Sequence, residues 1–114
     1  MTLNDLKTRC ETNNIEYAYG VFKKPVEPPY LVAITRSTDN FMADNRVYVK
    51  DIPVQLEYIY KDKDLNVEDI IENTILGDIP WNKTDEAYIE DEEVFEVSYF
   101  FELDTRGDEP IVSL

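Results

Sequence analysis

Phe95, Val97, Tyr99, Phe101 and Leu103 occupy every second position of the run 94–103, with Glu96, Ser98 and Glu102 between them. Only an extended strand puts residues i, i+2 and i+4 on one side, so this run predicts a long strand with one face against an apolar core. Phe100 interrupts the alternation and sets a ring on the opposite face. Such a strand needs partners, and the chain supplies them. Val54, Leu56, Tyr58 and Tyr60 alternate with Gln55, Glu57 and Ile59. Residues 30–35 form a β-rich run, expected as a central strand, and Ile15, Tyr17 and Tyr19 alternate before Gly20. Residues 46–50 are strand-like again, and 81–89 reads as a strand that turns at Asp91 and Glu92 into the last one.

Two segments carry helical signals instead. Leu3, Leu6 and Cys10 recur at i, i+3 and i+7 behind Thr2 and Asp5, a capping-box variant, which predicts a helix over 3–12 stopped by Asn13 and Asn14. A second helix is expected from a cap at Asn66, with Glu68 and Asp69 in its first turn. Ile70, Ile71, Thr74 and Ile75 supply its apolar side and Gly77 its end. Pro25, Pro28 and Pro29 forbid regular structure through 23–29, and residues 36–45 read as a loop or extended arm carrying Phe41 and Met42. The sum is α-β-β-β-α-β-β. It predicts an α+β fold with a mainly antiparallel sheet, strands joined by tight turns, and both helices on one face. One domain is expected over 1–103, with a flexible tail over 104–114.

Charge narrows the function classes. Twenty-five Asp and Glu oppose eleven Lys and Arg, leaving −14. A surface this negative repels phosphate backbones and anionic lipid, which disfavours nucleic-acid and membrane-surface binding. The N-terminal residues show no basic region followed by an apolar run, so no secretory leader is expected, and no stretch approaches the length of a membrane span. Cys10 is the only cysteine, so no internal disulfide can form, and its place on the apolar stripe makes it a small buried hydrophobe.

Chemistry finds little support. The chain contains no His, which removes the commonest general base, the Ser–His and Cys–His pairs and most zinc sites. Gly20, Gly77 and Gly107 are the only glycines, and none opens a phosphate-binding loop. Asp62, Asp64 and Asn66 fit the first three ligand positions of an EF-hand loop, but Val67 stands where glycine must turn the chain and Asn73 where the bidentate Glu belongs. Glu90, Asp91, Glu92 and Glu93 could pair as acid and base or hold a cation, yet adjacent residues of a tight turn point apart, so a solvated hairpin turn is the simpler account. The PxxP match at Pro25 and Pro28 reads as a stiff lead-in to the strand at Tyr30, the Arg106-Gly107-Asp108 tripeptide as a coincidence, and the Asn82-Lys83-Thr84 sequon as a pattern without the secretory context that would matter. We expect no enzyme, no cofactor and no metal.

Apolar groups beyond the needs of one core are more informative. Phe41 and Met42 sit in a polar segment, and Phe100 lies opposite the main aromatic set, so these side chains are expected either to be covered by something else or to be enclosed where a curled sheet buries both faces near its end.

The segments 18–30, 39–45 (Asp-Asn-Phe-Met-Ala-Asp-Asn), 55–64 (Gln-Leu-Glu-Tyr-Ile-Tyr-Lys-Asp-Lys-Asp) and 88–92 with the strand after it resemble small tail-module proteins of long-tailed phages and prophages of Gram-positive bacteria, of the tail terminator or tail completion kind. The resemblance covers about residues 1–103. It implies a sheet flanked by helices, no catalytic residue, and a ring-forming homo-oligomer, usually a hexamer, that caps the tail tube and joins it to the head. The partners it implies are sister subunits, the major tail tube protein and a head–neck connector protein, with DNA only as passing cargo and no membrane. The place it implies is the virion tail or neck, after assembly in the host cytoplasm. On this reading Pro28, Pro29, Tyr30, Phe41, Met42, Asn45 and Phe100 are candidate subunit contacts, and Glu90, Asp91, Glu92 and Glu93 candidate channel-facing acids. The alternative is an acidic module that mimics DNA and blocks a nucleic-acid enzyme.

Overall fold

The computed structural model describes residues 1–36 and 51–104, with only the backbone at Asp51 and Asp104. The strand-like run 46–50, the candidate contacts Phe41, Met42 and Asn45, and the tail from 105 lie outside the described residues.

Helix α1 spans Leu3–Thr12. Its capping box is reciprocal: Asp5 N–H donates to Thr2 Oγ1 at 3.1 Å, and Thr2 N–H donates to the Asp5 carboxylate at 3.0 Å. Thr2→Ala should therefore cost about 1 kcal/mol in a urea unfolding titration. Leu6 and Cys10 are fully buried and Leu3 packs against the same core. Burial pushes the Cys10 thiol up to about 12, so it stays protonated and inert. Asn13 caps the C-terminus and Asn14 turns the chain at φ 60°, a left-handed geometry that Asn tolerates.

The strands are β1 (Glu16–Tyr19), β2 (Tyr30–Thr35), β3 (Asp51–Tyr60), β4 (Asn82–Lys83), β5 (Ala87–Ile89) and β6 (Val94–Asp104). They form one sheet in the order β1-β2-β3-β6-β4, with β5 also paired to β6. Register follows the alternation read from the sequence. Leu31, Tyr58 and Val97 lie side by side, as do Ala33, Leu56 and Tyr99, then Val54 and Phe101. All of these are buried on one face, where Leu6 and Cys10 of α1 and Ile71, Ile75 and Leu76 of the second helix close over them. Both helices thus lie on one face of a mostly antiparallel sheet, the predicted α+β arrangement.

Four details depart from expectation. First, β1 runs parallel to β2, with Glu16 beside Tyr30 and Tyr19 beside Ala33. The connection over 20–29 is not a tight turn; it carries three prolines and returns along the sheet, as a parallel pair requires. Second, the strand expected at 81–89 is two short pieces, each paired with β6. Between them Thr84 N–H donates to Ser98 O at 2.9 Å while Ser98 N–H donates to Thr84 Oγ1, so a side chain replaces a rung of the ladder. Third, the second helix is capped by Asp64, whose side chain accepts from Asn66 N–H at 2.9 Å; Asn66 is already helical. This helix, α2 (Leu65–Asp69), continues as a π-helical segment, Ile70–Ile75. Leu76 N–H donates five residues back to Ile71 O at 2.9 Å. The wider turn brings Ile71, Ile75 and Leu76 inward together. Strand β6 also reaches Asp104, one residue past the predicted domain limit. Among the described residues no helix is long and apolar enough to cross a membrane.

Candidate assembly surface

Because side chains alternate across a strand, the face away from the helices carries Tyr30, Val32 and Ile34 of β2, Gln55, Glu57 and Ile59 of β3, and Glu96, Ser98 and Phe100 of β6. The described residues cover this face only in part. The strap over 20–29 passes above β2: the Phe22 ring meets Tyr30 edge-on with centroids 5.2 Å apart. Val21 to Val26, with Tyr30 and Val32, line a hollow of about 500 Å³. Beyond the strap, Ile34 and Phe100 remain half-buried, and the Arg36 guanidinium stands 5.0 Å from the centre of the Phe100 ring. A polar stripe runs between. Gln55 Nε2 donates to Glu57 Oε2 and to Ser98 Oγ, both at 3.2 Å. Burial, then the charge and hydrogen bond of Glu96, push the half-buried Glu57 carboxyl above its ordinary value.

The helix side is sealed in a different way. Lys83 of β4 is held by Glu72 at 2.6 Å and by Glu68 at 3.1 Å, and Lys63 by Glu86 at 2.6 Å. Glu68 is only 5% exposed. Its Oε2 lies 2.8 Å from Lys63 Nζ, an ion pair that lacks hydrogen-bond alignment. Tyr99 Oη donates to Glu72 at 2.7 Å and Tyr60 Oη to Glu86. Burial works against ionised Glu72, but the Lys83 and Tyr99 hydrogen bonds outweigh it and hold the carboxyl below its usual value. Each acid in this cluster already has an ammonium partner, so the cluster clamps α2 to β4 and β6 and offers no free base. Among the described residues no group of three or more His, Cys, Asp or Glu side chains could hold a metal ion.

The residues singled out from the sequence separate accordingly. Tyr30 and Phe100 share the partly covered face, and Pro28 and Pro29 stand at the end of the strap that crosses it, Pro28 half-buried and Pro29 exposed. The Pro28–Pro29 bond is cis. Glu90, Asp91, Glu92 and Glu93 are exposed in the loop between β5 and β6, with Glu93 at φ 57°. They do not meet Tyr30 and Phe100 in one site, although Glu92 lies close enough to act on the Tyr30 hydroxyl electrostatically. Strand alternation in the sequence already put Glu96 on the side of Phe100 and Glu57 opposite Leu56, but neither they nor Val32 and Ile34 were named as candidate contacts. Strand parity relative to Phe100 was the signal for those on β6, but the register that brings β2 and β3 alongside is set by long-range pairing. Comparison with protein-family models, with curated proteins and with solved structures finds no match.

Proposed function

We propose that this protein is a non-enzymatic virion structural protein, a ring-forming tail terminator or tail completion protein that caps a tail tube and joins it to the head–neck. The observation that supports this reading is the asymmetry of the sheet. One face is closed by two helices and a clamp of ion pairs, whereas the other leaves Tyr30, Val32, Ile34 and Phe100 half-buried. Half-buried apolar side chains, even on two sides of a polar stripe, are lowered in free energy when another protein surface covers them. A closed ring uses one patch against a different patch of the next copy, and a broad sheet face with a border strand such as β1, paired on one side only among the described residues, suits that contact. The exposed acids Glu90, Asp91, Glu92 and Glu93 suit a channel wall that DNA must pass without sticking to it.

Sedimentation velocity and negative-stain microscopy of the full chain, alone and mixed with phage tail tubes, test the proposal. Discrete rings, or particles seated on tube ends, are expected. Phe100→Asp should abolish them while far-ultraviolet circular dichroism stays unchanged, since the ring is not part of the buried core. A chain that stays monomeric at every concentration and never seats on tube ends would refute the reading.

A further inference from the structure

We infer that the part of the open sheet face between the 20–29 strap and the Glu57 and Glu96 carboxylates is a docking groove for a partner protein segment that carries one arginine or lysine flanked by apolar side chains. The inference rests on reading this face as an assembly surface and names the chemistry of what covers one half of it.

The groove combines two features that ask for different things from a partner. Beside β2, the strap and the strand border an open hollow of about 500 Å³ lined by Phe22, Val26, Tyr30 and Val32, with Lys23 and Lys24 of the strap also along it. A hollow of that size takes one or two large apolar side chains. One strand further, Glu57 of β3 and Glu96 of β6 are near neighbours, because Glu57 pairs with Ser98 and Ile59 with Glu96. Both are half-buried on the face that Tyr30, Val32 and Ile59 share, and their like charges act on each other and on the Tyr30 hydroxyl. An apolar partner alone would bury that repulsion and strengthen it. A guanidinium or ammonium laid between the carboxylates removes it, and the planar arginine fork can bond both.

Charge also argues against a second copy as the occupant of this half. Each chain carries −14, so face-to-face pairing would oppose acid to acid.

Panning a displayed library of random peptides on the full chain tests the assignment. Enriched peptides should carry Arg or Lys next to aromatic or branched side chains. Their binding should fall at least tenfold for the double variant Glu57→Gln/Glu96→Gln, and stay unchanged for Glu90→Gln/Asp91→Asn. Amide chemical-shift changes from the best peptide should map to 30–34, 55–59 and 96–100. The double variant keeps side-chain volume and relieves like-charge repulsion, so it should fold and keep the wild-type oligomeric state. No enriched peptide, enrichment without a cation, binding indifferent to the double variant, or a changed sedimentation coefficient in that variant would each overturn the inference. The last result would assign the groove to a second copy. Failure of ring formation with cation-dependent peptide binding intact would instead count against the tail-ring reading alone.

Discussion

Gly77→Ala should destabilise the protein by about 3 kcal/mol, a thermal midpoint lower by roughly 15 °C. A methyl group built on Gly77 would lie 2.3 Å from the carbonyl oxygen of Asn73 and 2.9 Å from its carbonyl carbon. Both atoms are backbone, so no rotamer change relieves the contact; the end of the π-helical segment has to open. That end is well anchored. Ile75 and Leu76 are fully buried, Ile75 O accepts from Arg9 at 2.9 Å, and Arg9 is bound again to Asp78 at 2.9 and 3.1 Å. Opening it moves two core side chains and a link to α1 together. Replacing glycine also restricts the unfolded chain, which favours folding by about 0.4–1 kcal/mol and works against the loss. Urea unfolding followed by Trp81 fluorescence measures the difference. A variant within about 0.5 kcal/mol of the parent would show that the helix end yields freely, and the steric account would fail.

The second large effect concerns the clamp. Lys83→Met should cost about 2–3 kcal/mol at neutral pH. Without the ammonium, Glu72 keeps only the Tyr99 hydroxyl, and Glu68, 5% exposed, keeps only the unaligned contact with Lys63. A buried carboxylate that loses its partner costs more than the pair contributed. Glu68→Gln is the informative counterpart. It removes the buried charge but leaves the Lys83 bond to Glu72 and the Lys63 bond to Glu86, so the loss should stay below about 1 kcal/mol. Equal effects from the two substitutions would mean that burial of Glu68 does not govern the cluster. Acid titration gives an independent check. Folding lowers the Glu72 pKa, so its contribution is fully present above the unfolded value of about 4.3 and is lost as pH falls through the lower folded value. Asp78, lowered by its Arg9 hydrogen bonds, behaves alike. The wild type should lose stability on that descent, and Lys83→Met should lose less.

How much of this was legible in the sequence depended on whether the signal was local. Helix α1 was, because the cap, the apolar stripe and the stop at Asn13 and Asn14 all act within a few residues. The faces of β3 and β6 were, because alternation declares which side is buried. The parallel pairing of β1 was not, since the prolines of the strap exclude regular structure without saying where the chain goes next. The split of 81–89 hinges on one Thr84 hydroxyl standing in for a backbone group. Nothing local singled out Lys83, because its partners Glu68 and Glu72 lie on another element. A trace existed: Glu68 and Glu72 sit four apart, with Glu72 next to Ile71 on the inward side of the helix, an expensive place for acids unless a cation meets them. Of the candidate contacts, Tyr30 and Phe100 share a face because both answer to strand parity. What covers them is written in no local pattern.

Strand β6 carries a temporal consequence. It pairs with β3 from Asp51 beside Asp104 to Tyr60 beside Phe95, and also with β4 and β5, yet it follows every other described element in the chain. The hub of the sheet is therefore the last of these pieces to leave the ribosome. Until Val94 and the residues after it emerge, Val54, Leu56 and Tyr58 lack their native neighbour on that flank. Folding must then be late and dominated by sequence-distant pairing, which is slow. A chain interrupted short of residue 94 would be a sticky half-sheet, the kind of species that chaperones and proteases remove.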